Sequence, residues 1–110
     1  SLYGTDYPTQ DGTAIRDYIH VMDLCNAHIM AYDFIDGTQQ NMICNLGTGI
    51  GHTVMEIIRE VERVRSKRIV IDNMLRRVGD PGILVADTTL AKQVLGFIPE
   101  HDVETIIHSY

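Results

Sequence analysis

The sequence predicts a small domain of mixed α/β class, and three observations carry that expectation. Short apolar or alternating runs at residues 15–21, 42–46 and 68–71 lie between turn-forming residues, as strands do. Thr53, with Glu56 three residues later, opens a stretch that has Val54, Ile57, Ile58, Val61 and Val64 on one face and Arg59, Glu60, Glu62, Arg63 and Arg65 on the other. That pattern is a capping box followed by an amphipathic helix. Finally, 110 residues with 45% hydrophobic and 22% charged content suit one globular domain.

The elements follow in order. Leu2 and Tyr3 read as the end of a strand. Residues 5–13, TDYPTQDGT, read as loop, because Asp-Tyr-Pro and Asp-Gly are turn formers. Across residues 15–21, Ile15, Asp17, Ile19 and Val21 alternate with Arg16, Tyr18 and His20, which predicts a strand. Asp23 is the expected N-cap of a helix in which Leu24, Ala27, His28 or Ile29, Ala31, Phe34 and Ile35 recur at helical spacing. Gly37 is expected to close it with a positive φ. Residues 42–46, MICNL, predict a buried strand, and GTGIG at 47–51 a tight turn into the capped helix. A strand at 68–71 precedes a loop at 73–82 that carries Arg76-Arg77 and Asp80-Pro81-Gly82. Asp87 is expected to cap a helix from Thr88 to about Leu95, ended by Gly96. Asp102 is expected to cap a last helix.

Composition excludes several functions. A net charge of −6 disfavours nucleic-acid and acidic-membrane surfaces, whose phosphates repel it. No apolar run approaches the roughly 18 residues of a membrane span, and no signal-peptide pattern opens the chain. Cytoplasm is the expected location. The two cysteines, Cys25 and Cys44, are too few for a disulfide framework and are expected to be small buried apolar residues. His20, Asp23 and His28 are metal-ligand types, but they straddle a strand–helix junction without the spacing of a metal site. Asp17, Tyr18 and Asp23 are expected to be structural. Because the chain begins at Ser1, without methionine and already in a strand, it is expected to be a piece of a larger fold.

Gly47-Thr48-Gly49-Ile50-Gly51 follows a strand and opens a helix, which is the context of a dinucleotide loop. The third glycine comes one residue early for G-x-G-x-x-G, since His52 stands at that place. Asp72, about 20 residues on, is not convincingly placed for a ribose. A strand-to-helix turn is therefore the expectation.

Three segments carry a family resemblance: LYGTDYPTQDGTAIRDYIHVMDL from Leu2, NLGTGIGHTV from Asn45, and RRVGDPGILVAD from Arg76 with Ala91-Lys92 and Leu95-Gly96 behind it. In order and spacing they resemble the C-terminal, substrate-binding part of UDP-glucose 4-epimerases, in the extended short-chain dehydrogenase/reductase superfamily. The resemblance covers essentially the whole chain. It implies that residues 1–110 are a partial C-terminal UDP-sugar-binding domain of a Rossmann-type, NAD(P)-binding epimerase, with the Rossmann domain absent. It further implies that the parent interconverts UDP-glucose and UDP-galactose, with bound NAD taking a hydride from sugar C4 and returning it to the other face. The NAD site and the catalytic Tyr-x-x-x-Lys pair are implied to lie upstream. None of Tyr3, Tyr7, Tyr18 and Tyr32 has a lysine four residues on, so this chain alone is expected to be inactive. Residues 66–75, SKRIVIDNML, depart from the family by lacking its usual Gly and Pro.

The resemblance also assigns site residues. A diphosphate favours the planar guanidinium of arginine, which makes two parallel hydrogen bonds to phosphate oxygens. Arg16 and Arg77 match the family's diphosphate positions and are expected to converge on one pair of phosphates. Taken singly, each would read as a surface ion pair, and that reading is kept for Arg76. Asp80 matches the ribose-contacting carboxylate, although Asp-Pro-Gly also reads as a turn. Ser1 and Tyr3 match the strand edge that reads uracil, where an aromatic face stacks on the base; core packing is the other reading of Tyr3. Leu84 falls where family members vary beside the sugar, which leaves acceptance of N-acetylated sugars open. The resemblance leaves a homodimeric parent open as well. Two rivals stand beside the epimerase: a non-catalytic sugar-nucleotide-binding or interaction module, and another UDP-sugar epimerase or decarboxylase, against which the long YPTQDGT loop argues.

Overall fold

A computed structural model describes residues 1–110. Its strands form two small sheets. In the first, β1 (Leu2–Tyr3) runs parallel to β4 (Asn73–Met74), with Leu2 opposite Asn73 and Tyr3 opposite Met74. In the second, β2 (Ile15–Asp17) is central, antiparallel to β3 (Gly51–Thr53) and parallel to β5 (Ile83–Leu84). Three helices, α1 (Val21–Thr38), α2 (Val54–Arg65) and α3 (Val103–His108), and a π-helical turn at Ala91–Leu95 complete the mixed α/β architecture.

The local signals at α2 hold. The Thr53 hydroxyl accepts from the Glu56 N–H at 3.1 Å, and the Glu56 carboxylate accepts from the Thr53 N–H at 2.7 Å. Asp102 caps α3 by accepting from the Thr105 N–H at 2.8 Å. Gly96 ends the π-helical turn at φ 70°, as expected of a residue without Cβ.

Other expectations need correction. β2 stops at Asp17, and α1 begins at Val21 with His20 as its N-cap, whose Nδ1 accepts from the Met22 N–H at 3.0 Å. Asp23 lies inside the first turn and is turned inward. α1 runs past Gly37 to Thr38, and Gln39 takes the left-handed cap conformation at φ 56°. Residues 42–46 and 68–71 form no ladder; the strand of that region is β4 instead. A ladder needs a partner edge, and none lies beside residues 42–46. Cys25 is exposed and Cys44 only half-buried, against the expectation that both are buried.

The core is thin. Ala27 of α1, Ala91 and Phe97 form its buried centre, with Ile19, Met30, Cys44, Leu46 and Leu95 packed around them. Thirteen of 110 residues are buried, and no residue of α2 is among them. The Cα radius of gyration is 16.5 Å, against about 13 Å for a compact domain of this length. The accessible surface is 7616 Å², where a folded monomer of this mass exposes about 6,100 Å². The uncovered area is apolar in several places: Ile43, Val70, Leu75 and Val78 are each at least 90% exposed.

Candidate functional site

The first group of site residues gathers where β1 and β4 end. Parallel strands leave a sheet from the same edge, so the segments after Tyr3 and after Met74 emerge side by side. Leu2 donates its N–H to the Asp72 carbonyl at 2.8 Å, and Gly4 donates to the Met74 carbonyl at 2.9 Å. Gly4 holds φ 92°, and a Cβ there would lie 2.5 Å from the Tyr7 ring, so the tight exit from β1 requires glycine.

Tyr3, 40% exposed, is not absorbed into the core. The Arg77 guanidinium carbon lies 4.7 Å from the centre of its ring. Arg77 also donates Nε–H to an Asp80 oxygen at 2.8 Å, with Nη2 2.8 Å from the same oxygen. The turn between them is closed by the Asp80 N–H on the Arg77 carbonyl at 3.3 Å. The structure thus brings together Tyr3, Arg77 and Asp80, an aromatic face, a guanidinium and a carboxylate, while Ser1 is exposed at the start of the same strand. An ion pair this open contributes about 0–1 kcal/mol, so an incoming anion can take the guanidinium without a large cost.

Arg16 and Leu84 form the second group, as register partners on β2 and β5. Arg16 is turned back on its own strand, with Nη1 donating to the Ile15 carbonyl at 2.8 Å. Beside it lies a cavity of about 570 Å³, lined also by Leu84, Asn45 and Asp87. Arg77 is not among the residues lining that cavity. The two groups are joined through the chain: the Ile15 N–H donates to the Gly82 carbonyl at 2.8 Å, and β5 follows the Arg77–Asp80 turn directly.

The glycine-rich turn is decided by Asp17. Its carboxylate accepts from the Thr48 N–H at 2.8 Å, the Thr48 hydroxyl at 2.6 Å and the Gly49 N–H at 2.9 Å, and the Ala86 N–H approaches at 3.3 Å. The donors that would cradle a phosphate are therefore occupied by an internal anion. A Cβ on Gly47 would lie 2.5 Å from that carboxylate, so the glycine serves this approach. Desolvation pushes the Asp17 carboxyl up, but the hydrogen bonds from Thr48, Gly49 and Ala86 outweigh it and hold it below its ordinary 3.8. The run does not fit a dinucleotide.

Three further carboxylate and histidine contacts escaped the sequence reading. Asp11 accepts from the Thr13 N–H at 2.9 Å and from the hydroxyls of Thr13 and Thr53 at 2.6 and 2.5 Å, which ties the long loop to the start of α2. Buried Asp23 accepts from the backbone N–H groups of Glu100 and His101, and its Oδ1 lies 2.9 Å from His101 Nδ1. His20 stacks on His101 with centroids 4.3 Å apart, and its Nε2 lies 3.0 Å from the Ser109 hydroxyl. His28 turns instead to the Leu24 carbonyl. For the Asp11 contacts the only prior signal was the density of Asp and Thr in residues 5–13, while at Asp23 the sequence points to a helix cap rather than to a contact with His101.

The family model described as GDP-mannose 4,6 dehydratase matches residues 1–110. The chain belongs to the GDP-mannose 4,6-dehydratase family. Within that family it is similar to UDP-glucose 4-epimerases. It is 44% identical to the one from Rhizobium meliloti over 98% of this chain and 33% of that protein. A UDP-glucose 4-epimerase structure from Stenotrophomonas maltophila, with bound NAD and formylated UDP-arabinopyranose, superposes with a TM-score of 0.91 at 40% identity, over 97% of this chain and 32% of that one. One from Bifidobacterium longum, in complex with NAD+ and UDP, gives a TM-score of 0.88 at 37% identity, over 98% of this chain and 32% of that one. The dehydratase-family chain therefore spans about a third of the length of these relatives. None of its helices is long and apolar enough to cross a membrane.

Proposed function

We propose that residues 1–110 are the UDP-binding C-terminal part of a UDP-glucose 4-epimerase. The single observation that carries this reading is the cluster at the end of β1. Arg77 meets Tyr3 from a distant part of the chain and pairs with Asp80 three residues on. Their chemistry answers a nucleoside diphosphate in order: a ring face for the base, a carboxylate for the ribose diol and a guanidinium for the diphosphate. Ser1 borders the base and Leu84 the hexose. Arg16 completes the diphosphate clamp by swinging away from the Ile15 carbonyl when the anion arrives.

In this reading the whole protein interconverts UDP-glucose and UDP-galactose in the cytoplasm. NAD supplies hydride acceptance and return at sugar C4, and it is held by a Rossmann domain outside residues 1–110. That domain is also the partner that covers the exposed apolar surface and pairs residues 42–46. Holding the nucleotide tightly while leaving the hexose free to turn over suits such a reaction, because binding energy on a non-reacting group positions the reacting one. Titration calorimetry tests the proposal. UDP is expected to bind, Arg77→Ala to weaken it by about tenfold or more, and GDP to bind more weakly than UDP. No heat with millimolar UDP in folded protein would overturn the nucleotide role. Epimerisation of either UDP-sugar by residues 1–110 alone with added NAD would overturn the assignment of catalysis to another part.

A further inference from the structure

We infer that Arg76 is a positioning residue, which with Asp6 and Tyr7 forms a clasp that fixes the Arg77–Asp80 turn for the nucleotide. This rests on the nucleotide reading of that turn. The β1–β4 ladder has only two residue pairs, too few to hold the two segments that leave it together. Arg76 bridges them. Its Nε donates to an Asp6 carboxylate oxygen at 2.7 Å and its Nη2 to the Asp6 carbonyl. Its guanidinium carbon lies 4.2 Å from the centre of the Tyr7 ring. Gly4 admits the arginine stem, since a Cβ there would stand 3.0 Å from Arg76 Cγ.

Tyr7 grips the other end of the turn. It is 5% exposed, and its hydroxyl donates to the Asp80 carbonyl at 3.4 Å. A Cβ on Gly82 would lie 3.1 Å from its ring. One tyrosine thus touches the residue before the turn and the residues at its end. The neighbouring arginines are held in different places: Arg76 pairs with Asp6 and lies over Tyr7, on the segment after β1, whereas Arg77 pairs with Asp80 inside the turn and lies over Tyr3 on β1. Arg76 spends its Nε and one Nη2 donor across the gap to Asp6, which ties the segment after β1 to the one carrying the turn.

The sign of the Asp6→Asn effect separates positioning from direct binding. In the intact protein as its own gene encodes it, Asp6→Asn and Arg76→Gln are each expected to weaken UDP roughly three- to tenfold. The double variant should be no worse than the weaker-binding single. Amide exchange at residues 78–80, measured without nucleotide, should accelerate in both singles, and Arg76→Lys should fall between wild type and Arg76→Gln. Tighter UDP binding by Asp6→Asn would show Arg76 to be a phosphate ligand held in check, and would overturn the inference. Unchanged UDP affinity, or unchanged amide exchange in the turn, would overturn it too. If the wild-type protein ignores UDP, the nucleotide reading fails, and the amide exchange alone still decides whether the clasp exists.

Discussion

At the scale of single residues, carboxylates do much of the organising. Asp17 and Asp23 collect backbone and side-chain donors from distant segments, and Asp11 joins the donors of Thr13, two residues on, to the Thr53 hydroxyl. In each, desolvation raises the carboxyl and the hydrogen bonds outweigh it, leaving the group below its ordinary 3.8. The unfolded chain therefore takes up protons first as pH falls. Stability from these groups is present above about pH 3.8 and is lost as pH drops through their lower folded values. Asp17→Asn is expected to cost about 1–3 kcal/mol at neutral pH, since the amide keeps one acceptor oxygen and leaves either the Thr48 or the Gly49 N–H facing an NH2 group. It should also flatten the acid limb of stability. Urea melts from pH 6 to pH 2.5 check both, and an unchanged acid limb would show that Asp17 is not a stabilising anion. Arg77 and Asp80 were named in the sequence through the family resemblance, each for a separate contact; that they pair with each other was not legible there. Tyr7 was not legible either, because a tyrosine in a turn-rich loop carries no periodic signal that it is buried.

At the scale of elements, α2 is the case where local chemistry suffices. Its capping box involves residues three apart and forms as the sequence dictates. Thr53 also donates to Asp11 at 2.5 Å, so its hydroxyl serves the helix and the loop together. Thr53→Ala is expected to cost about 1–2 kcal/mol, the upper part of the usual N-cap range, and Thr53→Ser much less. Denaturation midpoints of the two variants measure this. Equal losses would assign the effect to the methyl group rather than the hydroxyl. Residues 42–46 show the opposite case. Their apolar composition is that of a buried strand, yet strand character is a pairing property, and without an adjacent edge the composition alone makes no ladder.

For the whole molecule, the decisive quantity is surface left uncovered. The difference between 7616 Å² and the roughly 6,100 Å² of a compact monomer matches the size of an inter-domain interface. Residues 1–110 by themselves are expected to associate, with an apparent mass above 12.4 kDa that rises with concentration, and to bind a hydrophobic dye. Light scattering behind a sizing column measures the first. A monodisperse 12.4 kDa species at high concentration would show that the surface needs no partner.

The sequence by itself determined the mixed α/β class, the caps at Thr53 and Asp102, the glycine-ended turn at Gly96 and the residue types of the cluster at the end of β1. Those features depend on neighbours three or four positions apart, or on motifs contiguous in the chain. Only the tertiary structure decided that Asp17 fills the glycine loop, that Asp23 turns inward to His101, that Arg76 closes on Asp6, and that Arg16 and Arg77 stand in separate groups. Each of these depends on where segments tens of residues apart come to lie. Local periodicity carries no record of which donor will meet which acceptor once the backbone has closed.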